Sequence, residues 1–131
     1  MIKEKYEQAA VLHGHKCPGL AMGVRAAEEA KRLLEIENVN DKSFTCIAES
    51  CACYIDGIQA LTHCTVGNGR LVFNKTGQAA FNFYYGATGE SVRLALHELP
   101  AGMSRQELID YILTAPMGKI YAVGEPPFPA P

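Results

Sequence analysis

The second half of the chain contains three short segments rich in strand-forming residues, over 70–74, 78–85 and 91–96. Turn-forming residues separate them, at 75–77 and at 86–89. Links this short are typical of antiparallel hairpins, because a parallel connection needs a dozen residues or more. The pattern predicts three late strands that pair antiparallel, and it excludes a doubly wound α/β fold.

The first half of the chain has the periodicity of helices around a single strand. A helical pattern covers 2–12, and an amphipathic stripe runs from 18 to about 37. Pro18 stands at the first helical position, where its missing N–H leaves no helical bond unmade. Residues 43–49 are predicted to form a strand, and 54–63 a second, short helix.

The end of the chain carries clear helix signals followed by a proline-rich stretch. Ser104 and Glu107 have the spacing of a capping box, which predicts a helix that Pro116 ends. Residues 119–123 are predicted to form a last strand, and 124–131, with four prolines, an extended tail. The whole order indicates an α+β fold: an α-β-α-β-β-β core with a mixed or antiparallel sheet and additional terminal helices.

Composition limits the size and the kind of protein. A chain of 131 residues with 48% hydrophobic and 20% charged residues fits one globular domain over 1–131. A net charge of −2 gives no basic surface for nucleic acid, and no apolar run reaches the ~18–20 residues of a membrane span. The five cysteines, with no secretory signal before them, are expected as reduced thiols in the cytoplasm. Metal binding or thiol chemistry is therefore favoured over a disulfide framework.

The first group of candidate ligands is His13, His15 and Cys17. Alternate residues of an extended segment point the same way, so an extended loop would place all three side chains on one face. Cys17 also directly precedes a predicted helix, whose free N–H groups and dipole favour the thiolate. Histidine and thiolate are the usual ligands of zinc.

A second group lies between the first strand and the second helix: Glu49, Cys51, Cys53 and Asp56. Cys53 immediately precedes the helix, where anionic sulfur is again favoured. A Cys-x-Cys pair can ligate a metal, although either thiol can equally pack as a small apolar side chain. Cys46, in the middle of the predicted strand, is expected to be buried in this way.

Two further histidines have ordinary explanations. His63 ends the second helix, where a histidine interacts favourably with the negative end of the helix dipole. His97 follows the last hairpin strand and is expected at the surface.

The chain resembles the FmdE family, which takes its name from a subunit of formylmethanofuran dehydrogenase. The resemblance is carried by His13-Gly14-His15-Lys16-Cys17-Pro18-Gly19-Leu20-Ala21-Met22-Gly23-Val24-Arg25, Glu49-x-x-x-Cys53-x-x-Asp56-Gly57-Ile58-Gln59, Cys64-Thr65-x-Gly67-Asn68-Gly69 and Lys75-x-Gly77-Gln78-Ala79-Ala80-Phe81. It implies an α-β-α-β-β-β core similar to the catalytic domain of glyceraldehyde-3-phosphate dehydrogenase. It also implies a metal pocket.

Carried over by position, the resemblance implies that His13, His15, Cys17, Cys53 and Cys64 are the metal ligands. Glu49, Asp56 and Gln59 become their polar neighbours, and Cys46 and Cys51 fall outside the pattern. His63 departs from the family, which usually has glycine there. No cysteine follows Cys64, so the paired motifs of the family's C-terminal zinc ribbon are not among these residues.

Three functions fit these residues. The first is a metal-binding domain, most simply for zinc, with nickel or iron also compatible. With an open coordination position, Asp56 or Glu49, assisted by Gln59, would act as general base in a hydrolytic type of enzyme. The second is an accessory protein of a redox enzyme, since the resemblance implies a complex that carries a molybdenum or tungsten pterin on other subunits. The third is thiol redox chemistry at Cys17.

A homodimer is expected as well. The late strands carry Phe81, Phe83, Tyr84 and Tyr85, which place apolar residues on both faces of the sheet. One face can cover the core helices, and the other would require a partner, because large exposed apolar patches are uncommon on monomers.

Overall fold

The computed structural model describes residues 1–131 and confirms the α+β class. The elements in chain order are α1 (Ile2–His13), α2 (Pro18–Leu33), β1 (Phe44–Ala48), α3 (Tyr54–Thr62), β2 (Leu71–Phe73), β3 (Ala80–Tyr85), β4 (Glu90–Leu96), α4 (Arg105–Thr114), α5 (Met117–Ile120) and β5 (Tyr121–Gly124). The expected α-β-α-β-β-β core runs from α2 to β4. No helix has the length and apolar character that crossing a membrane requires.

The five strands form one mixed sheet in the order β2-β1-β3-β4-β5. β3 and β4 pair antiparallel as expected, and so do β1 with β3 and β4 with β5. The prediction was wrong for β2, which pairs parallel with β1 and does not touch β3. The reason is the connection through α3: a strand, a helix and a second strand in sequence place the two strands parallel and side by side. The link from β2 to β3 then passes over the end of β1, where the Thr76 and Gly77 amides donate to the Glu49 carbonyl.

Two element boundaries differ from the sequence pattern. α2 ends at Leu33, because Glu35 takes a left-handed conformation with φ of 51° and the Ile36 amide returns to the Lys31 carbonyl. Lys119 belongs to the short helix α5, so the last strand begins only at Tyr121. The capping box at the start of α4 is present as predicted, with Ser104 accepting from the Glu107 amide.

The helices cover one face of the sheet, and alternation along the strands decides which side chains join them. Phe44, Phe81 and Phe83 belong to the buried core with α1, α2, α3 and α4. Their neighbours in the strands, such as Asn82 and Tyr84, therefore point to the opposite face. There the Tyr84 hydroxyl donates to the Phe128 carbonyl, 2.9 Å away, so the proline-rich tail lies against the sheet of its own chain.

Three glycines allow α2 and α3 to cross with their backbones in contact. A Cβ atom at Gly23 would lie 2.0 Å from the Tyr54 carbonyl oxygen, and one at Gly57 would lie 2.8 Å from the Val24 amide nitrogen. One turn earlier, a Cβ atom at Gly19 would lie 2.9 Å from Cβ of Cys53. This contact brings the N-terminus of α2 directly beside the N-terminus of α3.

Candidate metal centre

Four potential ligands from three helix ends meet at one point. The ligand atoms of His13, His15, Cys17 and Cys53 all lie within 4.8 Å of one another. His13 is the last residue of α1, Cys17 caps the N-terminus of α2, and Cys53 caps the N-terminus of α3. The first three are close in sequence, and the crossing of α2 and α3 adds the fourth.

His13 is held in place by Asp56, in the first turn of α3. The Nδ1 atom of His13 lies 2.7 Å from Oδ2 of Asp56, and its Nε2 atom lies 3.8 Å from Sγ of Cys17. The Gln59 amide donates to the other oxygen of Asp56, at 3.3 Å. When Nδ1 donates its proton to a carboxylate, Nε2 is left as the free electron pair, which is the tautomer a metal ligand needs.

The sulfur of Cys17 is buried and accepts a hydrogen bond from the Leu20 amide at 3.4 Å. This is the helix-capping contact that the sequence predicted would favour a thiolate. The same expectation was wrong for Cys53: burial, together with the adjacent Cys17 sulfur, raises its pKa above the ordinary value. Two sulfurs side by side disfavour a second negative charge unless a cation lies between them.

His15 is the most accessible member of the four. It lies in the short loop between α1 and α2 and its side chain is exposed. Its ring packs against the His13 ring, with centroids 4.4 Å apart. The extended arrangement expected for the loop is interrupted at Gly14, which caps α1 in a left-handed conformation with φ of 100°.

Cys64, implied as a ligand by the family resemblance, lies outside this cluster. It is fully buried at the other end of α3, and its Sγ donates to the Phe44 carbonyl at 3.1 Å. A nine-residue helix is about 13 Å long, so Cys53 and Cys64 do not meet at one ion. His63, beside it, caps α3 with φ of 60°, which explains why glycine suits this position. Its ring pairs with Asn40 and not with a thiol.

Glu49 is also separate from the cluster, because alternation along β1 turns it to the sheet face opposite the helices. Its carboxylate accepts two hydrogen bonds from Arg93 and one each from Asn82 and Thr76. The Arg93 bonds, in first place, lower its pKa to about 2. A carboxylate this fully occupied is not available as a general base. Of the three predicted polar neighbours, only Asp56 and Gln59 lie beside the ligands.

The remaining cysteines and His97 lie apart from the four ligands. Cys46 is fully buried in β1 as expected, and burial raises its pKa well above the ordinary value. Cys51 is exposed rather than packed as a small apolar residue, and His97 is exposed as expected. Sequence reasoning missed the three glycines of the helix crossing. The available signal was Gly19 and Gly23, one turn apart in a predicted helix.

The donor set fits a transition-metal ion. Two imidazoles and two thiols are a tetrahedral zinc set, in which bonds of ~2.0–2.3 Å place neighbouring ligand atoms roughly 3.3–3.8 Å apart. The spacing found here, within 4.8 Å, reaches that range with small side-chain rotations. The Asp56–His13 pair supplies the outer carboxylate that commonly orients a ligating histidine.

Comparison with known proteins agrees with this site. The sequence model of the family described as "FmdE, Molybdenum formylmethanofuran dehydrogenase operon" matches residues 12–120, which include all four ligands. A probable S-adenosyl-L-methionine-binding protein of Archaeoglobus fulgidus is 33% identical over 91 residues, covering 66% of this chain and 25% of that protein. The crystal structure of an FmdE-like protein of tungsten formylmethanofuran dehydrogenase, from Syntrophus aciditrophicus, is similar with a TM-score of 0.59 and 32% identity. The alignment covers 72% of this chain and 50% of that one.

Proposed function

This chain belongs to the FmdE family, and on that premise we propose that it is a metal-binding domain holding one divalent transition-metal ion. His13, His15, Cys17 and Cys53 are the ligands. The observation that carries the proposal is the approach of these four donors to within 4.8 Å of one another. Zinc is the ion we propose, because a set of two nitrogens and two sulfurs suits it; nickel and iron share part of that preference.

We propose an accessory role beside a redox enzyme rather than turnover by this domain. Four protein donors complete a tetrahedral set, whereas catalytic zinc sites keep one position for water or substrate. The two acids considered as general bases also have other partners: Glu49 binds Arg93, and Asp56 binds His13. The family description and the solved relative both refer to formylmethanofuran dehydrogenase, with molybdenum or tungsten. That is the class of enzyme partner we propose.

Elemental analysis of protein purified without an affinity tag tests the metal. We expect about one ion per chain, with affinity that falls as pH drops through the histidine range near ~6.5, because protons compete for imidazole and thiolate. A content near zero, unchanged after anaerobic reconstitution with zinc, nickel or iron, would contradict the proposal. An affinity flat between pH 7.5 and about 5.5 would remove the histidines from the ligand set.

Thiol redox chemistry is the second candidate, favoured by one observation. The sulfurs of Cys17 and Cys53 lie within 4.8 Å of each other, close enough for small movements to join them. A protein that holds no metal and reacts rapidly with thiol reagents at Cys17 would support this function. All five cysteines are unpaired, which agrees with a reducing compartment, and we propose the cytoplasm.

A further inference from the structure

The four ligands are not held equally. Three of them are fixed by helix ends: His13 closes α1, Cys17 caps α2 and Cys53 caps α3. His15 alone lies on a loop, between Gly14 and Lys16. Side chains at helix termini share the rigidity of the packed helix, whereas a loop side chain owes its position to its own contacts alone.

The contacts around the ligands show the same difference. His13 is bound by Asp56 at 2.7 Å, and only 11% of its side chain is exposed. Cys17 is bound by the Leu20 amide and is 5% exposed. Cys53 packs directly on Gly19. The His15 ring is exposed and rests only on the His13 ring, with no hydrogen bond from the protein to orient it.

The loop backbone is fixed on both sides of His15, so its freedom lies in the side chain. Gly14 donates its amide to the Ala10 carbonyl as the cap of α1. On the other side, the Lys16 carbonyl accepts from Arg105 at 3.0 Å, and its ammonium pairs with Glu7. Rotation about the side-chain bonds of His15 moves the ring into solvent without disturbing the other three ligands.

From this asymmetry we propose that His15 is the exchangeable ligand, and that the position it leaves admits an external thiolate. This rests on the proposed function, since it concerns the same ion. A thiolate is the donor class we assign because the site already holds two sulfurs and so selects a sulfur-tolerant ion. In the exchange one metal–nitrogen bond breaks and one metal–sulfur bond forms. The thiol proton goes to solvent, or to the released imidazole, and no electrons are transferred.

Such an exchange gives an accessory protein a means to engage a cysteine of a partner without opening the fold. The three fixed ligands keep the ion while the exposed side of the site changes its fourth donor. The same side is where an ion would pass to a partner.

Cobalt(II)-loaded protein tests the proposal, with 2-mercaptoethanol as the probe. Proton NMR of the wild type should show hyperfine-shifted ring signals from two histidines, and those absent in His15→Ala identify His15. We expect the thiol to remove the His15 signals while the His13 signals remain, and to increase the sulfur-to-cobalt charge-transfer absorption. Loss of the His13 signals instead, or no change with excess thiol, would overturn the proposal.

Affinity measurements by chelator competition give an independent test. We expect His15→Ala to weaken cobalt binding roughly 10-fold and His13→Ala at least ~100-fold, with His97→Ala, an exposed histidine outside the cluster, unchanged. Asp56→Asn, which keeps the His13 ring, serves if His13→Ala does not fold. Equal losses for His15→Ala and for His13→Ala or Asp56→Asn would overturn the assignment of His15. Failure of the wild type to bind any ion would instead reject the proposed function itself.

Discussion

The Nδ1 atom of His13, at the end of α1, lies 2.7 Å from the Oδ2 atom of Asp56, in the first turn of α3. This contact joins two helices across 43 residues of sequence and turns Nε2 of His13 toward Cys17. Asp56 is therefore a positioning residue for the candidate metal centre.

Replacing Asp56 with asparagine should weaken metal binding by about 10- to 100-fold, because a neutral amide supports the ligating histidine less than a carboxylate does. The affinity is measured by competition with a chelator. Asp110→Asn in α4 is the matched control, since Asp110 contacts only Gln106 among side chains. Equal affinities for both variants would show that Asp56 does not act through His13.

Serine substitutions distinguish the buried cysteines. Cys17→Ser should abolish stoichiometric metal, whereas Cys46→Ser and Cys64→Ser should keep about one ion per chain. Serine at position 64 can still donate to the Phe44 carbonyl, as the thiol does. Metal content of the purified variants decides the question. If Cys64→Ser loses its metal while remaining folded, the ligand set derived from the structure is wrong.

Gly23→Ala should separate α2 from α3, because the new Cβ atom would lie 2.0 Å from the Tyr54 carbonyl oxygen. We expect the free energy of unfolding in urea to fall by about 3 kcal/mol or more, and metal affinity to fall with it. Gly118→Ala is the control, since nothing lies within 4 Å of its Cβ position. It should be neutral or stabilise α5 by up to ~1 kcal/mol. Equal stability of the two variants would refute the close crossing.

Acid should destabilise the protein partly through Glu49. Because Arg93 lowers the pKa of this carboxylate from 4.5 to about 2, its contribution is complete above about pH 4.5 and is lost as pH falls toward 2. Glu49→Gln should cost about 3 kcal/mol at pH 7 and flatten the decline over that window, without loss of metal. Glu90→Gln, on an exposed carboxylate of β4, should change neither. Urea titrations from pH 7 to pH 2 measure both variants, and parallel curves for Glu49→Gln and the wild type would contradict the assigned pair.

We also predict a homodimer, now on different grounds. The tail covers Tyr84, so the exposed apolar patch is instead formed by Val11, Leu12 and Val66, which are 82%, 76% and 55% exposed. Sedimentation equilibrium should give about twice 14.2 kDa at micromolar concentration. Leu12→Lys should shift the mass toward the monomer, and Val123→Lys, at an exposed valine of β5, should not. A wild-type mass near 14.2 kDa would rule the dimer out.

The sequence by itself determined the features that depend on neighbours along the chain. Helix periodicity, the capping box at Ser104 and glycine turns are local, so they predicted the α+β class and most elements. The His13, His15 and Cys17 cluster is local too, because five residues around one helix start hold all three. The family resemblance added Cys53 and Asp56, and it also added Cys64, which lies elsewhere.

Only the tertiary structure decided which distant parts meet. Periodicity is the same whichever strand lies alongside, so it did not reveal that β2 pairs parallel with β1. Nor did it reveal which end of α3 faces the histidine loop. That choice depends on the backbone contact of Gly23 with Tyr54, which brings Cys53 to the ligands and leaves Cys64 about 13 Å along the helix. Close packing between helices is a property of two surfaces together, and neither surface alone specifies it.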